Sequence, residues 1–413
     1  MKKRIYLSAN FETLVKYNGY FVDKTNYLQK LEESINPNVF FLRPRRFGKS
    51  LFLSVLEYYY GVQHKDKFIS LFGDYYIGQP ENTTPLKNSY FILRFDFSGI
   101  DTQAQTDIMR LFNEKLFIGF LEFNANYKLI SGEQISEIRN KSYPSEVLGS
   151  FLSTLIANGF DSKIYILIDE YDHFANDLFS FNPNHFQEIV SRNGWVRKFY
   201  EVIKQFTGSG LIERFFATGV TPLTLDSMTS GFNIAKNITL DLEYNNVAGF
   251  TESELKELII GTIYEQNKFD LEKLLTDMRD WFNGSKFSIR GQDKLYNPQL
   301  VLSFLSLFQS TFEYPREITD NNVTSDWKKI SNILMKLPQK ERDSIIEEVY
   351  INEKIKSGIS TQFNLETHYR RTDAISILFY NGLLTIDKEE YGIMHYVIPN
   401  YVIKNLFGEY LRT

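Results

Sequence analysis

The 413-residue chain is 43% hydrophobic and 23% charged, the balance of a folded protein with core enough for about two or three domains. Its formal charge of −5 at pH 7 excludes a global basic field for grasping nucleic acid, so any such contact must come from a local patch. Cysteine is absent, which removes disulfides, thiolate metal sites and cysteine nucleophiles.

Aromatic residues reach 16%, as suits well-packed layers rather than disorder. The basic opening "MKKRIYLSANFETLV" is followed by no apolar stretch of the signal-peptide kind. No apolar run approaches the roughly 18 residues of a membrane helix. The expected compartment is the cytoplasm, with no membrane contact.

The first informative element is "NVFFL" (Asn38 to Leu42), a continuous apolar run of the kind that forms a buried parallel strand. "RPRRFGKS" comes next, and then Leu51, Phe52, Val55, Leu56 and Tyr59 mark one helical face, with Gly61 as its stop. Strand, loop and helix stand in the order required of a phosphate-binding loop, G-x-x-x-x-G-K-[ST]. Gly48 lets backbone approach phosphate, Lys49 supplies a point charge and the Ser50 hydroxyl can ligate Mg²⁺. The helix N-terminus adds unpaired N–H groups. The expected nucleotide-binding stretch is Arg43, Pro44, Arg45, Arg46, Phe47, Gly48, Lys49, Ser50 and Leu51, whose arginines suit a polyanion.

Arg43 stands where the first loop glycine belongs. Arginine in that glycine's left-handed conformation would cost about 1 kcal/mol or more, so a different backbone path is expected, with Pro44 fixing its φ. "FGKS" alone could equally be a surface turn before a helix, and the decision needs a second element.

"SYFILRFDFSG" (Ser89 to Gly99) is a further strand, and helical patterns include Phe151 to Ala157 and Val196 to Phe206. "KIYILIDEYD" then supplies the second element, an apolar run from Ile164 to Ile168 ending in Asp169 and Glu170. Parallel strands place functional residues at their carboxyl edge, beside the loop. Asp169 is expected on the magnesium side, and Glu170 as the group that orients or deprotonates the attacking water. "RFFATGVTPL" (Arg214 to Leu223) places Thr218 at a strand end, where it could sense the γ-phosphate or position water. "KNITLDL" (Lys236 to Leu242) is a last strand candidate. The alternation implies an α/β fold, a P-loop NTPase parallel sheet flanked by helices, over residues 1–245.

From Gly249 the pattern turns helical: "TESELKELIIGTIYEQ", "DLEKLLTDMRDWFNG" and "NPQLVLSFLSLF". Thr251 and Glu254 form a capping box there. We expect a helical lid over 246–326, ending in the polar linker Glu317 to Asp326. Arg290 or Lys286 in that stretch could reach the phosphates, with surface charge as the favoured reading. Helices in "QKERDSIIEEVYI" and "RTDAISILFYNG", then two strand runs around an acidic turn from Asp387 to Gly392, suggest a winged-helix-like module over 327–413. Arg370 and Arg371 are its compact basic pair, and its acidic wing favours packing or regulation over DNA reading. The histidines lack metal-ligand spacing; His173 follows the acidic strand end and could couple to it, with a satisfied polar neighbour as the favoured reading.

Together "YFVDKTNYL", "FLRPRRFGKSLFLS", "ILIDEYD", "ATGVTPLTLDSMTSGFN", "GFTESEL", "WFNGSKFS", "YNPQLVL" and "FYNGLLTI" resemble, in order, the bacterial AAA-ATPase-like family. In that family a P-loop ATPase module usually precedes a PD-(D/E)XK nuclease-like domain. The resemblance implies that arginine in place of the first glycine is a family trait. It maps the family's loop lysine and hydroxyl onto Lys49 and Ser50, and its strand-end acids onto Asp169 and Glu170. It also places the adenine pocket near Tyr20 to Thr25. The chain departs at "IPNYVIKNLFGEYLRT", after which no nuclease pattern is found, and nuclease activity is not carried over.

The expectation is a Mg²⁺-dependent ATPase with Glu170, Lys49 and Thr218 catalytic, Ser50 and Asp169 on the metal, and ATP or ADP as ligand. A homo-oligomer could supply an arginine, with Arg192, Arg197 and Arg214 as unranked candidates. A non-hydrolysing nucleotide-bound switch or scaffold is the rival reading. A nucleic-acid-directed motor acting with a separate nuclease is the third, to be separated by salt-dependent DNA binding.

Overall fold

The computed structural model describes residues 3–103, 107–190, 194–225, 232–263, 265–315, 331–363 and 369–410. The linker expected over 317–326, Arg192 and His368 lie outside the described residues.

Two short helices, α1 (Phe11–Lys16) and α2 (Asn26–Glu33), lead into β1 (Asn38–Leu42), α3 (Lys49–Tyr60) and α4 (Phe68–Phe72). Next come β2 (Phe91–Asp96), α5 (Ile108–Tyr127), α6 (Gly132–Arg139) and α7 (Pro144–Ala157). β3 (Ile164–Asp169) is followed by α8 (His173–Phe181), α9 (Pro183–Val190) and α10 (Trp195–Gly208), and then by β4 (Ile212–Gly219) and β5 (Lys236–Asn237). "KNITLDL", read as a strand, thus keeps only two residues in the sheet.

Among the described residues these strands form one parallel sheet in the order β2-β3-β4-β1-β5. Every residue of β1 and β3 is buried, as covered parallel strands require. On one face Phe40, Tyr200, Phe215 and Phe232 pack ring against ring. On the other, Phe52 of α3 meets Phe216. The chain leaves β1 toward β2 and leaves β4 toward β5, in opposite directions across the sheet. Their carboxyl ends therefore flank a topological switch point, the usual ligand crevice of such sheets.

Beyond the sheet, α11 (Glu252–Thr262), α12 (Leu271–Phe282) and α13 (Pro298–Thr311) gather a separate apolar cluster that includes Leu258, Leu274, Met278, Val301 and Phe304. The capping box is present, with Glu254 N–H donating to the Thr251 hydroxyl and Thr251 N–H to the Glu254 carboxylate. The C-terminal elements are α14 (Gln339–Tyr350), β6 (Ile355–Ser357), α15 (Arg371–Tyr380), β7 (Thr385–Glu390), β8 (Ile393–Val397) and α16 (Tyr401–Tyr410). The three strands make an antiparallel sheet ordered β6-β8-β7. Its hairpin turns at Tyr391 and Gly392, with φ of 52° and 79°, a two-residue turn whose twist matches the strands. Asp387, Glu389 and Glu390, expected in the turn, instead belong to β7. The apolar core of this part is continuous with that of the main sheet.

Candidate functional site

The β1–α3 connection carries the distinctive backbone. The left-handed positions fall at Arg46 (φ 66°) and Gly48 (φ 92°), not at Arg43. A Cβ on Gly48 would meet nothing within 4 Å, so the φ rather than space demands glycine there. Gly48 caps α3, and the amides at the start of that helix are the donors an α-helix leaves unsatisfied.

Lys49 is buried, and its ammonium donates to the carbonyls of Arg43 and Pro44 at 3.0 Å each. The charge thus sits inside the arc of the loop. Burial lowers its pKa, against the pull of Glu170, Asp169 and Asp172. No protein group bonds the Ser50 hydroxyl among the described residues.

Arg43 behaves differently from the other loop arginines. It is fully buried, and its guanidinium donates to the carbonyls of Leu42, Thr239, Tyr244 and Asn245. The rings of Phe41 and Phe287 lie 4.6 and 4.2 Å from it. Burial pushes its pKa down to about 9. The side chain expected to meet phosphate therefore fastens β1 to the segment after β5, and only its backbone belongs to the loop. Arg46 does line the cavity beside the loop.

Asp169 ends β3 and is buried. Its Oδ1 accepts from the Thr218 hydroxyl at 2.5 Å and from Glu170 N–H at 3.1 Å. β4 lies between β1 and β3, so Thr218 stands between loop and acid and is itself fully buried. Its hydroxyl is committed to Asp169 Oδ1.

Glu170 takes a left-handed φ of 51°, a strained backbone for a non-glycine residue. Burial raises its carboxyl pKa, opposed by His173, Lys49 and Arg45 and reinforced by Asp169. Asp172, to which the sequence assigns no role, is buried and accepts from the amides of Val220 and Thr221 at the exit of β4. Its signal is present as the third acid of "DEYD", but an acid that caps a neighbouring strand has no spacing of its own to betray it.

A cavity of about 370 Å³ opens beside the loop, lined on that side by Arg46 to Phe52 and Glu170. That volume lies within the range of ligand pockets, about 300–1,000 Å³. Its far walls are Tyr6 to Ala9 and Tyr20 to Val22 of the N-terminal segment, Val247 to Phe250, and Pro298, Gln299 and Leu302 of α13. Lys24 also faces it, held by Glu254 at 2.6 Å. The stretch expected around the base thus adjoins the loop, while Tyr6 to Ala9 and Gln299 carry no motif that marks them in the sequence.

The loop also touches the segments beyond the sheet. Gly249 N–H donates to the Phe47 carbonyl at 3.1 Å and the Asn297 amide to that of Arg45 at 3.4 Å. Phe47 meets Phe287 edge to face at 5.4 Å, and Phe287 lies 6.2 Å from Phe379 of α15. Arg214, an arginine candidate, bonds the Leu31 carbonyl and pairs in register with Tyr165, near the amino edge of the sheet. Arg197 is paired with Glu201. Lys286 and Arg290 are not among the cavity walls.

Among the described residues no group of three or more His, Asp or Glu could hold a metal ion, and no helix is long and apolar enough to cross a membrane. A family model described as "Predicted AAA-ATPase" matches residues 6–229. A curated protein of Azotobacter chroococcum mcd 1, named "Uncharacterized protein in vnfD 5'region", is 28% identical over 292 residues, covering 70% of this chain and 48% of its own. The chain therefore spans about half the length of the curated relative that it matches.

Proposed function

The chain belongs to the AAA-ATPase-like family, and on that premise we propose that it binds ATP at the Arg43–Ser50 loop and hydrolyses it. The observation that carries the reading is the convergence at one sheet edge of a buried lysine inside a left-handed loop with an acid pair. A surface turn would have no reason to bury a cation there.

Phosphoryl transfer is mostly positioning and electrostatics. Lys49, Arg46 and the α3 amides would take the phosphate charge. The base and sugar would occupy the cavity between the N-terminal segment and α13. The residues fit a magnesium ion brought in with the nucleotide. Ser50, whose hydroxyl has no protein partner among the described residues, and Asp169, one oxygen of which Thr218 fixes, would be the residues that hold it. Such an ion would neutralise charge on the phosphates. Glu170 would accept a proton from water as its oxygen bonds the γ-phosphorus and the bridging oxygen leaves with ADP.

Helices α11 to α13, contacting the loop at Phe47 and Arg45, would act as a lid. The antiparallel sheet and α15, reached through Phe287, would act as the module that reads nucleotide state. We take hydrolysis over the switch-or-scaffold reading because a pure binder has no use for Glu170 beside Asp169. An arginine donated by a second copy would raise the rate.

Binding of ATP with Mg²⁺ by the wild type and by Lys49→Ala tests the reading. Loss of a charged hydrogen-bond donor worth about 1.5–3 kcal/mol predicts roughly tenfold or greater weakening. Equal affinity in the two would refute the site.

A further inference from the structure

The fold places a histidine ring between the phosphate loop and the acid proposed to activate water. His173 opens α8 directly after the strained turn at Glu170, and its backbone N–H donates to the Glu170 carbonyl at 3.1 Å. The side chain is mostly buried, at 18% exposure. Its Nδ1 lies 3.4 Å from Glu170 Oε2 and 3.3 Å from Arg45 Nη2. Its Nε2 lies 4.0 Å from Asp177 Oδ2.

One ring nitrogen thus faces both a donor and an acceptor. A neutral imidazole nitrogen offers either a proton or a lone pair. With the proton on Nδ1 the ring can hold the Glu170 carboxylate. With the proton on Nε2, toward Asp177, the Nδ1 lone pair can only receive the Arg45 guanidinium. The two contacts exclude each other.

We propose that His173 is the positioning residue of Glu170, and that Arg45 of the phosphate loop governs through Nδ1 whether the carboxylate is held. A guanidinium prefers a phosphate, which it can grip with paired charge-assisted bonds, to a neutral ring nitrogen. Phosphate in the loop would draw Arg45 away and leave Nδ1 to a proton shared with Glu170. The histidine would thereby tie orientation of the base to occupancy of the loop. This inference rests on the hydrolytic reading above.

The test is steady-state ATP turnover and ATP affinity of His173→Ala and His173→Gln, each also made in a Glu170→Gln background and followed by single-turnover hydrolysis, with melting temperatures alongside. Mispositioning a base worth roughly 10²-fold or more predicts that His173→Ala lowers kcat on the order of tenfold. KM and ATP affinity should stay within about twofold, because the phosphate contacts remain. His173→Gln, which keeps a side-chain N–H, should recover part of the rate. In the Glu170→Gln background His173→Ala should add no further loss.

Unchanged kcat in His173→Ala overturns the proposal. So does the same fold-loss in both backgrounds, or a rate loss in both histidine variants that tracks loss of folded protein. A wild type that binds ATP without turning it over removes the hydrolytic reading, and this inference with it.

Discussion

The Thr218 hydroxyl donates to Asp169 Oδ1 across 2.5 Å, from the strand that separates the β1–α3 loop from the acid pair. Both groups are buried, so losing the bond leaves a buried carboxylate oxygen with one donor fewer. Thr218→Val keeps the shape and leaves Asp169 Oδ1 only the Glu170 N–H, while Thr218→Ser keeps the hydroxyl. Thr218→Val should raise the Mg²⁺ concentration needed for half-maximal turnover several-fold, the scale of a buried hydrogen bond of about 1 kcal/mol. Thr218→Ser should remain near wild type. A magnesium titration of the two variants decides it.

Arg43 should act on stability rather than on nucleotide. Its guanidinium donates to four backbone carbonyls in the core, and Arg43→Ala would take that donor from each, leaving the Tyr244 carbonyl only the long bond from Val247 N–H at 3.4 Å. The expected loss is about 3–5 kcal/mol of unfolding free energy, since each buried carbonyl that loses its donor costs about 1–3 kcal/mol, read by denaturant titration. Folded Arg43→Ala should bind ATP within about threefold of wild type, since the lost side chain holds carbonyls rather than phosphate. A large affinity loss at unchanged stability would contradict this placement.

Phe287 carries the same argument to the C-terminal part. Its ring covers the Arg43 guanidinium and meets both Phe47 and Phe379. Phe287→Ala should cost about 3–5 kcal/mol, as buried phenylalanine truncations do. If nucleotide state is read through this ring, ATP should no longer alter protease sensitivity of residues 339–410 in the variant. Persistence of the ATP effect would place the coupling elsewhere.

His64 supplies a pH prediction away from the site. Its ring lies 4.2 Å from that of Tyr58, and neither ring nitrogen finds a hydrogen-bond partner among the described residues. Burial, with help from Lys67 and against Glu12, lowers its pKa from 6.5 to about 4. A folded pKa below the unfolded one means that the unfolded chain binds the proton first. This contribution is therefore intact above about pH 6.5 and is lost as pH falls toward 4. Solvent screening limits it to about 1–2 kcal/mol. His64→Phe should flatten the stability–pH curve between these limits; an unchanged slope would remove His64 as its cause.

Local chemistry explains which parts of the site are legible in the sequence. The strand, loop and helix of the proposed phosphate site, and the apolar run ending in Asp169 and Glu170, each lie within one contiguous stretch. Periodicity, a glycine and strand-end acids mark them without reference to the rest of the chain. The hidden parts depend on distant partners. Arg43 looks like a phosphate ligand until Thr239, Tyr244 and Phe287 close around it. Tyr6 to Ala9 become a cavity wall only when the N-terminal segment folds beside α13. Thr218 is legible as a strand end, but its direction toward Asp169 comes from β4 lying between β1 and β3, an order no local pattern encodes.

Glu170 carries the central claim, and one comparison tests it most directly: Mg²⁺-dependent ATP hydrolysis by the wild type and Glu170→Gln, with ATP affinity measured on both. The account predicts that turnover falls at least about 100-fold in Glu170→Gln, the scale of a lost general base, while ATP affinity stays within a few-fold. Turnover that survives the substitution, or a wild type that binds ATP and never hydrolyses it, would contradict the account and leave the nucleotide as a switch for a partner.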